Sequence, residues 1–454
     1  MRIDRLGIEN FKKFDRQSFE LHPHFTLLVG ENGSGKTSVL DALAVAMAIW
    51  LVRPPDSEVQ NSKRHLLKSE IRLVPSLAGD RVQFREVPPA SVTAVGSLAG
   101  HDGITWIRQN RGGDQTNDSG AKQALEIIAS VYERDGQGEK LLCPVLAYYG
   151  AGRAWLPSNK RWTVTRPKGL ARRWAAFYDC FKERIRFAEL QKWFSSEAAE
   201  RGNRAGRWRP GFQVVRRAIL RCVPGADDVW FDTDLDQIVL SIAGNAQPFD
   251  NLSAGQRMML ALAADLGIKA VTQNNYLVPP DELGPEDEPW PKVLRETPGV
   301  VLIDELDVHL HPTWQRRVAT DLKTTFPAIQ FVCTSHSPQV IGEVTRDEVR
   351  LLRPDGAEHR VERPSVALGA DSNWILDHVM DGAASKSLET RTLQDAAEDA
   401  LAEGSLAVAR AKLAHLRALL DGDTGELVRL ESSLGSLEAL AKEASKGSAP
   451  SEND

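Results

Sequence analysis

Gly30-Glu31-Asn32-Gly33-Ser34-Gly35-Lys36-Thr37 has the spacing of a complete phosphate-binding loop. An apolar run, Phe25 to Val29, leads into it, and a helix-like segment from Ser38 through Ile49 leaves it. The glycines let backbone N–H groups turn inward around phosphate oxygens, with the positive end of the following helix behind them. Lys36 then reaches the β- and γ-phosphates, and Thr37 places its hydroxyl on Mg²⁺. Gly30, Glu31, Asn32, Gly33, Ser34, Gly35, Lys36, Thr37 and Ser38 are therefore the candidates for holding a nucleoside triphosphate. A bland glycine-rich turn between a strand and a helix is the alternative, and the flanking pattern speaks against it.

Two later segments refine the reading. Val300 to Ile303 is an apolar run of the kind that forms a buried parallel strand, and it ends in Asp304-Glu305. A carboxylate there holds Mg²⁺, and a second one beside it polarises an attacking water. Asp304 is assigned to the metal and Glu305 to the general base. Upstream, Asn251-Leu252-Ser253-Ala254-Gly255-Gln256 opens a helix-like run from Arg257 to Ile268, a second anion site at a helix N-terminus. One chain cannot easily present both anion sites to one γ-phosphate, so a head-to-tail pair is expected. Downstream, Phe331 to Ser335 reads as a strand delivering His336, which can hydrogen-bond the γ-phosphate.

The order of phosphate loop, L-S-A-G-Q, I-D-E-L-D and T-S-H-S-P resembles the ATP-binding-cassette superfamily of ATPase heads. The resemblance covers roughly residues 1–50, 140–150 and 246–345. It implies an α/β fold, an ABC-type P-loop ATPase head using ATP and Mg²⁺, in which ATP joins two heads and hydrolysis releases them. Leu252, Ser253, Gly255 and Gln256 match the signature, Asp304 and Glu305 the second nucleotide motif, Asp307 the loop coupling the two sites, and His336 the switch histidine. Lys36, Glu305 and His336 are then the catalytic candidates, and Thr37 and Asp304 the metal ligands. One departure stands out: no glutamine loop is recognisable. The strand Cys143 to Ala147 runs instead into Tyr148-Tyr149-Gly150 and on to Arg153, leaving a tyrosine or Arg153 as candidates for that position.

Composition narrows the class. The chain has 454 residues, enough for a main core with attached modules. The N-terminus shows no secretory pattern and no run reaches the ~18–20 apolar residues of a membrane span, so a cytoplasmic location is expected. Cys143, Cys180, Cys222 and Cys333 lack metal-ligand spacing and read as reduced structural thiols. Charge is unevenly spread. Residues 153–221 carry 18 Lys/Arg against 5 Asp/Glu, near +13, which leaves about −19 elsewhere for a net charge of −6. Trp155, Trp162, Trp174, Trp193 and Trp208 lie in the same window. Two readings stay open: a nucleic-acid surface using phosphate contacts and base stacking, or an amphipathic helical insert with core tryptophans and paired arginines. A helical stretch is expected over Gly169–Ser195, and Arg204, Arg207 and Arg209 mark a second basic cluster.

The expected organisation is an N-terminal part of the head over 1–150, with a variable insertion of short strands and turns at about 51–138. A basic, Trp-rich helical insertion over 151–228 follows. The C-terminal part of the head spans 229–365, an all-α module 366–446, and a disordered tail 447–454. Helices are expected near 387–402, 405–420 and 424–443, broken at Gly404 and Asp421-Gly422. Asp232, Asp234 and Asp236 imitate the start of a calcium loop, but Gln237 stands where glycine is required. His309 and His311 sit in an H-L-H-P turn and read as structural.

Long coiled coils between the first and third motifs are lacking, and no carboxylate-rich catalytic module follows His336. The effector is therefore expected on another chain. I-E-N-F-K-K-F-D, V-L-A-Y-Y-G-A-G-R-A-W, I-D-E-L-D-V-H-L-H-P-T-W-Q and I-Q-F-V-C-T-S-H-S-P-Q-V together resemble the ATPase of Septu-type anti-phage systems, including retron-associated versions. That resemblance implies an oligomeric ATPase that senses infection and regulates an HNH-type nuclease. Retron versions add an RNA–DNA product as a possible ligand of the basic insertion, and no membrane is involved. It also places Lys12 and Lys13 in an edge loop beside the nucleotide. The rivals are a RecF-like DNA repair or recombination ATPase and a nucleotide-gated scaffold with little turnover.

Overall fold

The computed structural model describes residues 1–55, 57–60, 62–78, 81–154, 173–279, 283, 290–355, 358–380, 388–420 and 422–447. The chain opens with an antiparallel pair, β1 (Arg2–Phe11) and β2 (Phe14–Glu20), then enters β3 (Phe25–Gly30) and α1 (Lys36–Met47). A one-turn helix α2 (Ser57–Gln60), a hairpin of β4 (Leu73–Ala78) and β5 (Arg81–Glu86), a second hairpin of β6 (Ala90–Leu98) and β7 (His101–Asn110), and α3 (Lys122–Gly136) follow. β6 and β7 join the first two strands in a sheet of order β2-β1-β6-β7. Of the strands in 51–138, β6 and β7 thus extend the first sheet, while β4 and β5 form a two-stranded sheet of their own. The reason lies at the end of α1, where side chains of β7 bond the helix carbonyls. Trp106 Nε1 donates to Ala46 O (3.0 Å), and the fully buried Arg108 donates to Val45 O (2.5 Å) while pairing with Asp118 (2.7 Å).

After β8 (Val145–Tyr149), the described part of the basic segment contains α4 (Phe187–Asn203) and α5 (Pro210–Cys222). The helix expected over Gly169–Ser195 is broken, because Asp179 takes a left-handed φ of 54° that a right-handed helix cannot accommodate. Trp174 packs edge-on against Tyr132, centroids 4.8 Å apart, and Trp208 stacks on Phe212 at 4.0 Å beside Trp193. Arg173 pairs with Asp135, Arg186 with Asp179 and Glu189, Arg209 with Glu197 and Glu200, and Arg216 with Asp228. Arg201 and Arg221 lie over Trp208 and Trp290. These residues follow the amphipathic-insert reading: aromatics inward, cations paired. Arg204 and Arg207 are exposed. Trp155, Trp162 and Arg172 lie outside the described residues.

β9 (Ala226–Asp232), β10 (Gln237–Ile242) and β11 (Asn245–Pro248) form a small antiparallel sheet before α6 (Ala254–Gln273). Gly267 of α6 lets α5 approach closely, since a Cβ there would already touch Val215 at 3.4 Å. Asp232 terminates β9 by accepting from the amides of Asp234 and Leu235 (3.0 and 2.9 Å), a turn in place of a calcium loop. The chain continues through α7 (Lys292–Glu296), β12 (Gly299–Ile303), α8 (Pro312–Thr325), β13 (Ile329–Thr334), α9 (Pro338–Ile341), β14 (Val349–Asp355) and β15 (Glu358–Glu362). The central sheet runs β15-β14-β3-β13-β12-β8, parallel except for β15. Parallel strands buried on both faces need continuous apolar runs, and β8, β12 and β13 are buried at every residue. Their C-terminal ends open on one edge, where α/β sheets place ligands.

Residues 1–375 form one unit and 376–454 a second, so the boundary falls ten residues later than the expected 366. α10 (Ser372–His378) spans the join. The second unit contains α11 (Leu388–Ala402), α12 (Leu406–Leu419) and α13 (Gly425–Gly447) around Leu393, Ala397, Leu413, Leu416, Leu427 and Leu430. Gly404 (φ 74°) and Gly422 (φ 126°) make the breaks, in backbone that favours glycine. Gly447 closes α13, and the remaining tail residues lie outside the described ones. All four cysteines are buried and outside any disulfide. Among the described residues, no helix is long and apolar enough to cross a membrane, and no group of three or more His, Cys, Asp or Glu could hold a metal.

Candidate nucleotide-binding site

β3 ends in the phosphate loop, and the loop's backbone explains its glycines. Gly33 and Gly35 have φ of 78° and 98°. A Cβ at Gly30 would stand 2.6 Å from Leu352 O, and one at Gly35 would stand 2.6 Å from the Phe14 ring. Lys36 curls back over the loop and donates to Gly30 O (2.8 Å) and Glu31 O (2.9 Å). Burial holds its ammonium below the usual lysine range, against the opposing pull of Asp304 and Glu305. Ser34 Oγ is sealed from solvent without a hydrogen-bond partner. A buried hydroxyl left unpartnered within a glycine-opened loop fits a site that a phosphate completes.

The ends of β12 and β13 complete the floor. Thr37 Oγ1 donates to Asp304 Oδ2 (2.9 Å), and Thr334 Oγ1 donates to Asp304 Oδ1 (2.6 Å). A hydroxyl and a buried carboxylate form an oxygen-only donor set, which fits Mg²⁺. Sequence reading missed Thr334, whose hydroxyl also accepts from the Glu305 amide (2.7 Å). Its signal was its place at the head of T-S-H-S-P, where the strand ends before Ser335. Glu305 takes a left-handed φ of 50°, a costly conformation for a residue with a Cβ. Its side chain is half-buried, so water can reach it.

His336 and Asp307 are held together. Asp307 Oδ1 accepts from Ser335 Oγ (2.6 Å) and from the His336 amide (3.3 Å). Burial first, then the positive charge of Lys36, pushes the His336 imidazolium down, so the ring is neutral near pH 7 and faces the loop lysine's field. His311 caps α8 by accepting from the Thr313 amide (3.3 Å), the structural role expected of it.

The signature lies at the start of α6. Ser253 and Gln256 form a reciprocal cap, Ser253 Oγ accepting from the Gln256 amide (3.3 Å) and Gln256 Oε1 from the Ser253 amide (2.9 Å). Leu252 is buried and Ser253 exposed. Gly255 packs against the loop that follows Glu305: a Cβ there would stand 2.6 Å from His309 O. The two lysines of the β1–β2 turn diverge. Lys13 donates to Gly33 O and joins the phosphate loop, whereas Lys12 pairs with Asp41 and Glu70. Lys12 therefore braces α1 rather than the loop rim. Where a glutamine loop was sought, Tyr149 donates to Asp265 on α6 and its carbonyl accepts from the Asp304 amide (2.8 Å). Tyr148 faces α1, with its hydroxyl buried and unpartnered. The side chain of Arg153 is outside the described residues.

Two family models match the chain, an AAA domain over residues 5–198 and the AAA domain described as putative AbiEii toxin, Type IV TA system, over 243–342. The chain is 22% identical over 404 residues to the Retron Vc95 probable ATPase of Vibrio cholerae serotype O1 biovar El Tor, covering 78% of this chain and 73% of that protein. It is 24% identical over 363 residues to the Septu protein PtuA of Bacillus mycoides, covering 77% of this chain and 40% of that one. Among solved structures, an SMC head bound to the C-terminal winged-helix domain of ScpA matches at TM-score 0.46 and 14% identity, over 80% of this chain and 98% of that one. With Gly30–Thr37, Asp304 and His336 gathered at one edge of a parallel sheet, the chain has an α/β P-loop fold, and its homologues are the retron ATPases and the Septu protein PtuA.

Proposed function

We propose that this protein binds and hydrolyses ATP in a head-to-tail pair and uses that cycle to control a nuclease partner, of HNH type, in anti-phage defence. The observation that carries the chemistry is the convergence of Lys36, Thr37, Asp304 and Glu305 at the ends of β3 and β12. Mg·ATP supplies the scissile phosphoanhydride. Lys36 and the loop amides hold its phosphates, Thr37 and Asp304 hold the metal, and Glu305 takes a proton from the attacking water. Ser253 is exposed at the head of a 20-residue helix, so a second copy can approach it. Gly255 packed on His309 O couples that surface to the loop holding Glu305.

The defence role rests on the retron and Septu relatives, each matched over more than three quarters of this chain. The test is to express the chain with its flanking reading frames and challenge the cells with phage. Protection that requires both Lys36 and a flanking nuclease frame supports the reading. Full protection by a Lys36→Ala locus, or none from the intact locus against a broad phage panel, contradicts it.

A further inference from the structure

Tyr148 is 2% exposed, and its hydroxyl has no hydrogen-bond partner. A buried phenol forgoing its bond costs about 1–3 kcal/mol, so an unsatisfied one needs a reason. Register supplies the direction. Tyr148 stands opposite Leu302 across the β8–β12 pair, so it shares a sheet face with Leu302 and with Asp304 two residues on. Tyr149 takes the other face and is satisfied by Asp265. On the Tyr148 face lies α1, where Thr37 and Asp41 are one turn apart. The acids whose charge the phenol feels are, in order, Asp41, Asp304 and Glu183. Burial and those charges push its ionisation upward, so it remains an O–H donor. Asp41 is already engaged by Lys12 and by Arg64 (3.7 Å), and Asp304 by Thr37 and Thr334.

We propose that the Tyr148 hydroxyl is a positioning group for the Mg²⁺ site, donating to an oxygen of the metal's coordination shell when metal and nucleotide are bound. This assignment rests on the ATP reading above. It gives the phenol its missing partner only when metal and nucleotide are present, and it accounts for a hydroxyl where phenylalanine would pack equally well among the surrounding apolar side chains.

The test is equilibrium binding of a fluorescent ATP analogue, titrated with Mg²⁺ and repeated in EDTA. Tyr148→Phe should bind nucleotide in EDTA as the wild type does, while its Mg²⁺ midpoint rises about tenfold or more, the usual cost of losing a partner that orients metal ligands. Tyr149→Phe, on the opposite face, should leave the midpoint unchanged. Equal losses with and without Mg²⁺, an unshifted midpoint in Tyr148→Phe, or the same shift in Tyr149→Phe would overturn the assignment. Should Tyr148→Phe fold poorly, 3-fluorotyrosine at position 148 keeps the phenol. Its ¹⁹F resonance should move when Mg²⁺ is added to the nucleotide-bound chain, and an unmoved resonance contradicts the proposal. A wild-type chain that shows no Mg²⁺ effect on nucleotide binding brings down the ATP reading and this assignment together, an outcome distinct from a change confined to the variants.

Discussion

Thr37 Oγ1 and Asp304 Oδ2, 267 residues apart in sequence, are joined by a hydrogen bond of 2.9 Å. The first turn of α1 is thereby fixed to the end of β12, and the two oxygens a hard cation needs are held side by side. Thr37→Val keeps shape and removes the donor. It should weaken Mg²⁺-dependent nucleotide binding about tenfold or more while leaving binding in EDTA intact; a Mg²⁺ titration followed by a fluorescent nucleotide reads this directly.

Gly255 tests whether the signature and the base communicate through the backbone. An alanine there would press on His309 O at 2.6 Å, and neither partner is the end of a flexible side chain. Gly255→Ala should cost about 1–3 kcal/mol in denaturant unfolding. It should lower ATP turnover more than ATP affinity, because the strain falls beside Glu305 and away from Lys36. Comparing the turnover rate with KM separates the two.

The cysteines make a prediction about pH. Burial pushes the thiols of Cys143 and Cys222 up to about 12, from the ordinary value of 9.0, and raises Cys180 as well. Below pH 9 these thiols are protonated in both the folded and unfolded chain, and their burial carries no pH-dependent penalty. Above it the unfolded chain loses protons that the folded one keeps, so stability falls as pH rises from 9 toward 12. Native protein should resist a thiol reagent at neutral pH, and all four cysteines should react in denaturant. Rapid native labelling would contradict the burial.

The phosphate loop, Asp304, Glu305, Ser253 and His336 were legible in sequence because each needs a short local pattern: glycine spacing, an apolar strand ending in acid, a serine before a helix. Helix breaks at Gly404 and Gly422 were legible for the same reason. What was hidden depends on partners distant in sequence. Trp106 and Arg108 bond α1 carbonyls from sixty-odd residues away, and β6 and β7 extend the first sheet. Thr334 opens T-S-H-S-P but was assigned no role there, yet it holds both Asp304 and the Glu305 backbone. The basic window could not be read from net charge, which ignores pairing: Arg209 and Arg216 have carboxylate partners on neighbouring elements, while Arg204 and Arg207 stay exposed. Lys12 and Lys13 are adjacent in sequence but separated by a left-handed φ of 51° at Lys12, which sends their ammonium groups to different acceptors.

In the proposed cycle a second copy, presenting Ser253, closes over the nucleotide held by Lys36. The most direct measurement is the solution mass of Glu305→Gln, with and without Mg·ATP, by sedimentation. Turnover in this variant should fall at least ~10²-fold, so ATP persists and the paired state accumulates. Adding Mg·ATP should shift this variant to a higher assembly, and adding Ser253→Arg should abolish the shift. An ATP-loaded Glu305→Gln chain whose mass does not change, or whose assembly is indifferent to Ser253→Arg, would contradict the cycle.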